Sequence, residues 1–380
     1  MKKRDHSLRT AFGEFLHSWM PSFLGGLTCK DWIRLLRDNH WDVDIRYYPR
    51  ALAVTLFSIL TSLLRMLEPK VILHRDEEEM WANPLFVLGL PRSGTTHLCY
   101  LLSRNQHFAE TTRLDVYNPH TFVLLRKLGI DRLLSRLQPK KRVMDQVMTG
   151  WLTPEEDDLA LAVLCQQSER LRSVFPRRRA QYDEFSQVMS NDHPSRAQWI
   201  KSFRFFTQKL VSYYRKPLLL KSPNHCFHLS EILEIFPMAR FVFISRDPIG
   251  QFSSYLAMVK KSSNNWCTLQ NSEPSSTDEV LARIKLFWDR YSETRNLIPP
   301  DHLVEVRYED LVSRRDETLA HIHRSLGLNG CEDLLLSLQQ DKSSPKYKTN
   351  SHHALDPSLR EQVISIYASS LFPHQFKEGH

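Results

Sequence analysis

Apolar residues occur along the chain either as short unbroken runs or at helical spacing, and the order of the two sets the fold class. Leu85-Phe86-Val87-Leu88 is an unbroken run that stops at Gly89 and Pro91, the form taken by a strand buried on both faces of a parallel sheet. Helical spacing begins near Thr95, with Leu98, Leu101 and Leu102 on one side. A second run, Leu218-Leu219-Leu220, ends at Lys221; helical spacing of Phe227, Leu229, Ile232, Leu233 and Phe236 follows, and then a third run, Phe241-Val242-Phe243-Ile244. Strand, helix and strand together take about 30 residues, the size of a right-handed βαβ unit. Leu303 to Tyr308 alternates as one more strand, and Asp356-Pro357 has the N-cap and first-turn form of a late helix. The pattern predicts an α/β fold, a P-loop-like parallel sheet with helices on both faces.

The first part of the chain differs in character. Residues 1–81 read as a helical extension, closed by the charged stretch Arg75, Asp76, Glu77, Glu78 and Glu79 as a boundary, with the main domain over 82–380. Within that domain, 260–278 is rich in Ser, Asn and Lys and reads as a mobile loop, and 341–380 as a late loop and a C-terminal helix. The apolar run from Ala51 to Leu64 is flanked by Arg50 and Arg65 and broken by Thr55, Ser58, Thr61 and Ser62. It is shorter than the about 20 residues that span a bilayer. Two readings stand: a helix packed on the domain, or one lying at a membrane surface through residues 41–67, with Trp41, Tyr47 and Tyr48 at headgroup level.

Composition narrows the function classes. With 42% hydrophobic residues in 380, the chain can bury a full core, and no internal repeat is visible. The balance of 51 Lys+Arg against 43 Asp+Glu, net +8, suits an anionic ligand or acidic membrane surface. The basic clusters Lys140-Lys141-Arg142 and Arg177-Arg178-Arg179 are short and lack interleaved aromatics, which argues against nucleic acid. Six cysteines, Cys29, Cys99, Cys165, Cys226, Cys267 and Cys331, stand apart without metal or disulfide spacing. Met1-Lys2-Lys3-Arg4 leads into polar, amphipathic sequence instead of an apolar run, so no secretory signal is read and a cytoplasmic location is expected, with attachment to a membrane surface as the open alternative.

The chemistry centres on Gly89-Leu90-Pro91-Arg92-Ser93-Gly94-Thr95-Thr96. Two glycines between a strand and a helix let backbone N–H groups turn inward onto a phosphate, and the helix N-terminus adds partial positive charge. A nucleotide triphosphatase has lysine after the second glycine; this chain has Thr95, and the loop's cation is Arg92. No acidic residue directly ends the Phe241–Ile244 run to hold magnesium, since Ser245-Arg246 intervene before Asp247. No metal is expected.

Pro91-Arg92-Ser93-Gly94-Thr95-Thr96, Leu219-Leu220-Lys221-Ser222-Pro223, and Arg246-Asp247-Pro248 followed by Ser254 together resemble the sulfotransferases that use 3'-phosphoadenosine 5'-phosphosulfate (PAPS), nearest to the broad, mostly bacterial branch related to the tyrosylprotein enzymes. The resemblance covers roughly residues 84–350. It implies that Arg92, Ser93, Gly94, Thr95 and Thr96 grip the 5'-phosphosulfate, and that Arg246 and Ser254 grip the 3'-phosphate. It matches Lys221 to the lysine that neutralises the leaving phosphate oxygen. Lys348, in Lys346-Tyr347-Lys348-Thr349-Asn350, is a further phosphate contact by the same resemblance. Tyr308-Glu309-Asp310-Leu311 also recurs there, with a structural role.

Sulfuryl transfer to a hydroxyl needs a group to take the acceptor's proton and donors for the departing charge. Asp115, in Thr111-Thr112-Arg113-Leu114-Asp115, stands first as base; His225 and Glu156, the latter in Thr153-Pro154-Glu155-Glu156-Asp157-Asp158, follow, and His120 is a further candidate. The reading is a PAPS-dependent sulfotransferase acting by direct in-line transfer on a hydroxyl of a lipid, glycan or small molecule. A P-loop kinase-like phosphotransferase and a nucleotide-binding membrane-associated protein without catalysis are the alternatives.

Overall fold

The computed structural model describes residues 21–137, 150–186, 194–261, 267–271, 273, 275–340 and 355–368. Five strands, β1 (Leu85–Leu88), β2 (Ala109–Glu110), β3 (Leu218–Lys221), β4 (Arg240–Ser245) and β5 (Leu303–Arg307), form one sheet in the order β2-β3-β1-β4-β5. Every pairing is parallel, with Phe86 level with Leu220 on one side and Phe241 on the other.

Because side chains alternate along a strand, each unbroken run feeds two cores. Phe86, Leu88, Leu218, Leu220, Phe241 and Phe243 enter the larger one, with Phe203 and Phe206 of the Pro194–Tyr214 helix and Phe287 and Tyr291 of the Thr277–Thr294 helix. Leu85, Val87, Leu219, Val242 and Ile244 enter the second, with Leu98 and Leu102 of the Thr95–Leu102 helix and with Leu319 and Ile322. The sheet is thus sandwiched by helices, as the periodicity predicts. The strand–helix–strand unit is present, but β1 lies between its two strands, so the crossover from β3 passes over the central strand to reach β4. β1 is therefore flanked by strands reached in opposite directions, and the crevice beyond its carboxyl end is where such sheets bind ligands.

The N-terminal segment packs into the larger core. Phe23, Leu24, Trp32, Leu35 and Val54 are buried there, Asn39 exchanges hydrogen bonds with Tyr182, and Arg177 holds Asp42 and Asp44 at 2.6 and 2.8 Å. The charged stretch expected as a boundary is itself a helix, Arg75–Ala82, because His74 and Glu77 form a capping box and Glu77 turns inward. Of the segment read as a mobile loop, residues 267–271 are a packed strap: Leu269 is buried, and buried Arg50 donates to the Thr268 carbonyl at 2.6 Å. The late helix begins at Pro357, with Asp356 Oδ1 accepting from the Ser358 amide.

Candidate active site

The turn after β1 is shaped by two glycines. A Cβ on Gly89 would lie 2.6 Å from the Ile244 carbonyl oxygen, and one on Gly94 would lie 2.4 Å from the Tyr308 ring; Gly94 also has φ +107°, open to few other residues. Arg92 sits at φ +71° without that freedom, so the loop stores strain at the residue whose side chain it must aim. The helix begins at Thr95. Ser93 is buried, and its hydroxyl has no hydrogen-bond partner among the described residues. A buried hydroxyl in a turn of this shape is a donor waiting for an anionic acceptor, so the residues present fit a phosphosulfate.

The 246–254 segment braces this loop from the β4 side. Arg92 Nε donates to Ser254 Oγ at 3.0 Å, Arg246 donates to the Arg92 carbonyl at 3.3 Å, and Gln251 donates to the Pro91 carbonyl at 3.1 Å. The Arg246 guanidinium lies over the Tyr308 ring, 4.8 Å from its centre. The sequence expectation assigned Arg92 to one phosphate and Arg246 with Ser254 to the other. The structure joins the three in one basic edge, with Arg92 turned toward Ser254.

On the β3 side, Lys221 ends its strand with its ammonium 2.9 Å from Glu156 Oε1 and 3.4 Å from Thr96 Oγ1. A cation thus bridges the first turn of the loop's helix and a carboxylate. The acidic run that supplies Glu156 is laid beside Thr111 and Thr112 by a bridge to Pro154. Each of its carboxylates is held, and Arg170 and Lys221 each serve two of them. Glu155 pairs with Arg113, and Glu156 with Lys221 and Arg170. Asp157 accepts the Lys221 amide at 2.8 Å, and Asp158 takes two bonds from Arg170 and one from Asn224. Burial pushes the Glu156 carboxyl up, but Arg170 and Lys221 outweigh it and hold it well below the usual carboxylate range.

Asp115 is fully buried, away from any such bridge. Its oxygens accept from the Thr112 amide and hydroxyl, from Arg126 at 2.9 Å and from the Tyr214 hydroxyl at 2.8 Å. It is the third residue of the short Arg113–Tyr117 helix and closes that helix's capping box. Those four donors occupy the lone pairs a base would need. His225 is also buried, its Nε2 2.7 Å from Asp157 Oδ2 and its ring against Phe86 and Phe203. His120 lies 3.6 Å from Asp31, in the packing of the N-terminal segment. Lys348 lies outside the described residues.

Arg170, which fixes both Glu156 and Asp158, escaped the sequence reading because it sits in a short 3-10 turn, Glu169–Ser173, without a motif. Tyr308 was legible only as part of a recurring stretch; its ring forms the surface on which Gly94 and Arg246 rest. Next to the loop lies a small cavity, with room for about one water, lined by Leu90, Pro91, Pro223, Asn224, Phe227, Tyr255, Arg283 and Phe287.

A phosphate-shaped turn, a lysine bridged to it and a paired basic edge at the carboxyl end of a parallel sheet define an enzyme that handles anionic groups. The chain belongs to the sulfotransferase family, whose sequence profile matches residues 84–333, and it is a sulfotransferase. It is 29% identical over 338 residues to the omega-hydroxy-beta-dihydromenaquinone-9 sulfotransferase Stf3 of Mycobacterium bovis and to that of Mycobacterium tuberculosis, a match covering 88% of this chain and 86% of each relative. Two solved structures share the fold. Sulfotransferase STF9 of Mycobacterium avium superposes with a TM-score of 0.59 at 18% identity, over 93% of this chain and 98% of that one. Sulfotransferase STF1 of Mycobacterium tuberculosis gives 0.54 at 17%, over 94% and 92%.

Proposed function

We propose that this sulfotransferase takes its sulfuryl group from PAPS and delivers it to a hydroxyl of an apolar, lipid-like acceptor, with Glu156 as the general base and Lys221 as the cation at the leaving oxygen. The observation that carries the reading is the bridge from Thr96 through the Lys221 ammonium to Glu156. The donor supplies an activated sulfuryl group. Ser93, Gly94, Thr95 and Thr96 would hold its 5' end through hydroxyls and helix N-terminal amides, while Arg92, Arg246 and Ser254 would meet the 3'-phosphate with charge-assisted bonds.

In this reading the ion pair is a held state. A carboxylate pinned by two cations is a weak base; when Lys221 turns toward an anion at Thr96, Glu156 keeps only Arg170, and its proton affinity rises where an acceptor hydroxyl would sit. Asp157 and His225 keep the lysine's backbone in place. What favours a lipid-like acceptor is that the relatives are named for sulfating a menaquinone alcohol.

The test combines binding and transfer. Adenosine 3',5'-bisphosphate should raise the melting temperature without added metal, and more than adenosine 5'-phosphate does, and the Arg246→Ala variant should lose the difference. Label from sulfur-35 PAPS should then appear in the lipid fraction of a cell extract. Equal stabilisation by both nucleotides, or a magnesium requirement, would sink the donor assignment; label confined to glycans would sink the acceptor class.

A further inference from the structure

The Tyr48–Arg65 helix wears its polarity reversed. Its buried side carries Val54, Ser58 and Thr61, and its hydroxyls are spent on the protein: Trp32 Nε1 donates to Thr55 at 2.9 Å, the Cys29 amide to Ser62 at 2.9 Å, and Thr61 to the Gly25 carbonyl at 3.1 Å. The outward side carries Leu52, Leu56, Ile59, Leu60 and Leu63, each about half exposed. Their spacing of four, three, one and three makes one continuous stripe. Ile45, Met66 and Leu67 prolong it at both ends, the last two 81% and 70% exposed. Water-facing leucines at this density mark a surface that something covers.

The charges around the stripe identify the cover. From Ile45 to Leu67 there is no acidic residue and there are three arginines, of which Arg46 and Arg65 stand exposed at the two ends. The neighbouring acids point elsewhere: Glu68 turns inward onto Lys209 at 2.5 Å and onto the amides of Val123 and Leu124, and Asp42 and Asp44 are held by Arg177. Trp41 and Tyr48, both more than half exposed, flank the amino end. We propose that this face docks the protein on an anionic lipid bilayer, with the helix lying in the plane of the interface, leucines in the acyl region and arginines among the headgroups. Though the apolar run alone is too short to cross a bilayer, the continuous helical stretch Ile45–Arg65 has the length and apolarity of a membrane span, but its polar side is bonded to the body of the protein, which an in-plane position preserves and a crossing would break. A second copy is a poor cover, since two such faces would bring arginines together with no acid to meet them. This docking goes beyond the catalytic reading and does not rest on it.

Vesicle flotation of the full chain tests it. Binding is expected to vesicles of phosphatidylcholine with phosphatidylglycerol, to weaken at high salt, and to be slight with phosphatidylcholine alone. Leu56→Ser with Leu60→Ser should lower partitioning at least about 10-fold, and Arg46→Gln with Arg65→Gln by about 10-fold on anionic vesicles. Brominated lipid should quench wild type more than Trp41→Phe. Both double variants should keep the wild-type melting temperature, which separates lost docking from lost folding. Wild type that stays unbound, equal binding to both vesicle types, or binding that survives the leucine substitutions would overturn the proposal. So would a dimer in light scattering that the same leucine substitutions dissolve while no vesicle binding is seen.

Discussion

The glycine loop at 89–96 and the acidic run at 155–158 face each other across Lys221, yet they are made in opposite ways. The loop carries its shape in itself: two glycines, one left-handed arginine and a helix start lie within eight consecutive residues. The acidic run has no shape of its own. Its carboxylates are placed by partners 12 to 68 residues away, Arg170 being the nearest and His225 the farthest. A local site tolerates change elsewhere, whereas a site assembled from remote partners fails when any of them is lost. The largest effect expected is at the joint of the two. Lys221→Met should lower kcat by roughly 10³, as loss of a charge-stabilising group does, while adenosine 3',5'-bisphosphate still stabilises the protein through Arg246 and Ser254. A fall in nucleotide binding with kcat unchanged would place Lys221 in the loop's grip on the nucleotide instead of at the transferring group.

Next in size comes the contrast between two carboxylates. Removing the charge of a fully buried, paired group costs about 3 kcal/mol or more, so Asp115→Asn should lose that much stability in a urea titration while its folded fraction keeps a near-normal kcat. Glu156→Gln should do the reverse, cutting kcat by roughly 10² with nucleotide affinity retained. The opposite pattern would return the base to Asp115. The pH dependence sharpens the same comparison. The folded Glu156 carboxyl lies below the ordinary value of 4.5, so its contribution to stability is complete above that value and is lost as pH falls toward the folded one. Wild type should therefore lose melting temperature between about pH 5 and 3 more steeply than Glu156→Gln does. Parallel slopes would remove the ion pair from the acid response.

Legibility in the sequence follows the same division. β1 and β3 fall where unbroken runs end at Gly89 and Lys221, and the loop's glycines announce a phosphate turn, because all of this is encoded within a few residues. The surroundings of the candidate bases were not legible. Asp115 stands first among the candidate bases, but Thr112 three residues earlier makes it part of a helix cap, and only the fold brings Arg126 and Tyr214 to close around it. His225, two residues after Pro223, looks poised beside Lys221, and the short turn after β3 sets its ring edge-on to Phe86. The inward hydroxyls of Thr55, Ser58 and Ser62 looked like breaks in an apolar run, when they mark the side of the helix that faces the protein.

The smallest effect tests whether Arg92 belongs to the loop or to its brace. Ser254 is buried and accepts from Arg92 Nε at 3.0 Å, so its hydroxyl proton is left to donate to an anion beside Arg246. Ser254→Ala removes one neutral hydrogen bond to a charged group and one support for Arg92. A bond of that kind contributes about 1.5 to 3 kcal/mol, and water can replace part of it here, so the affinity for adenosine 3',5'-bisphosphate measured by calorimetry should fall about 10-fold. If Arg92 is aimed through Ser254, Arg92→Ala should weaken the same ligand and the double variant should lose less than the sum of the two, the sign of coupled groups. Additive losses would mean that Arg92 contacts the nucleotide independently, on the loop's side of the division.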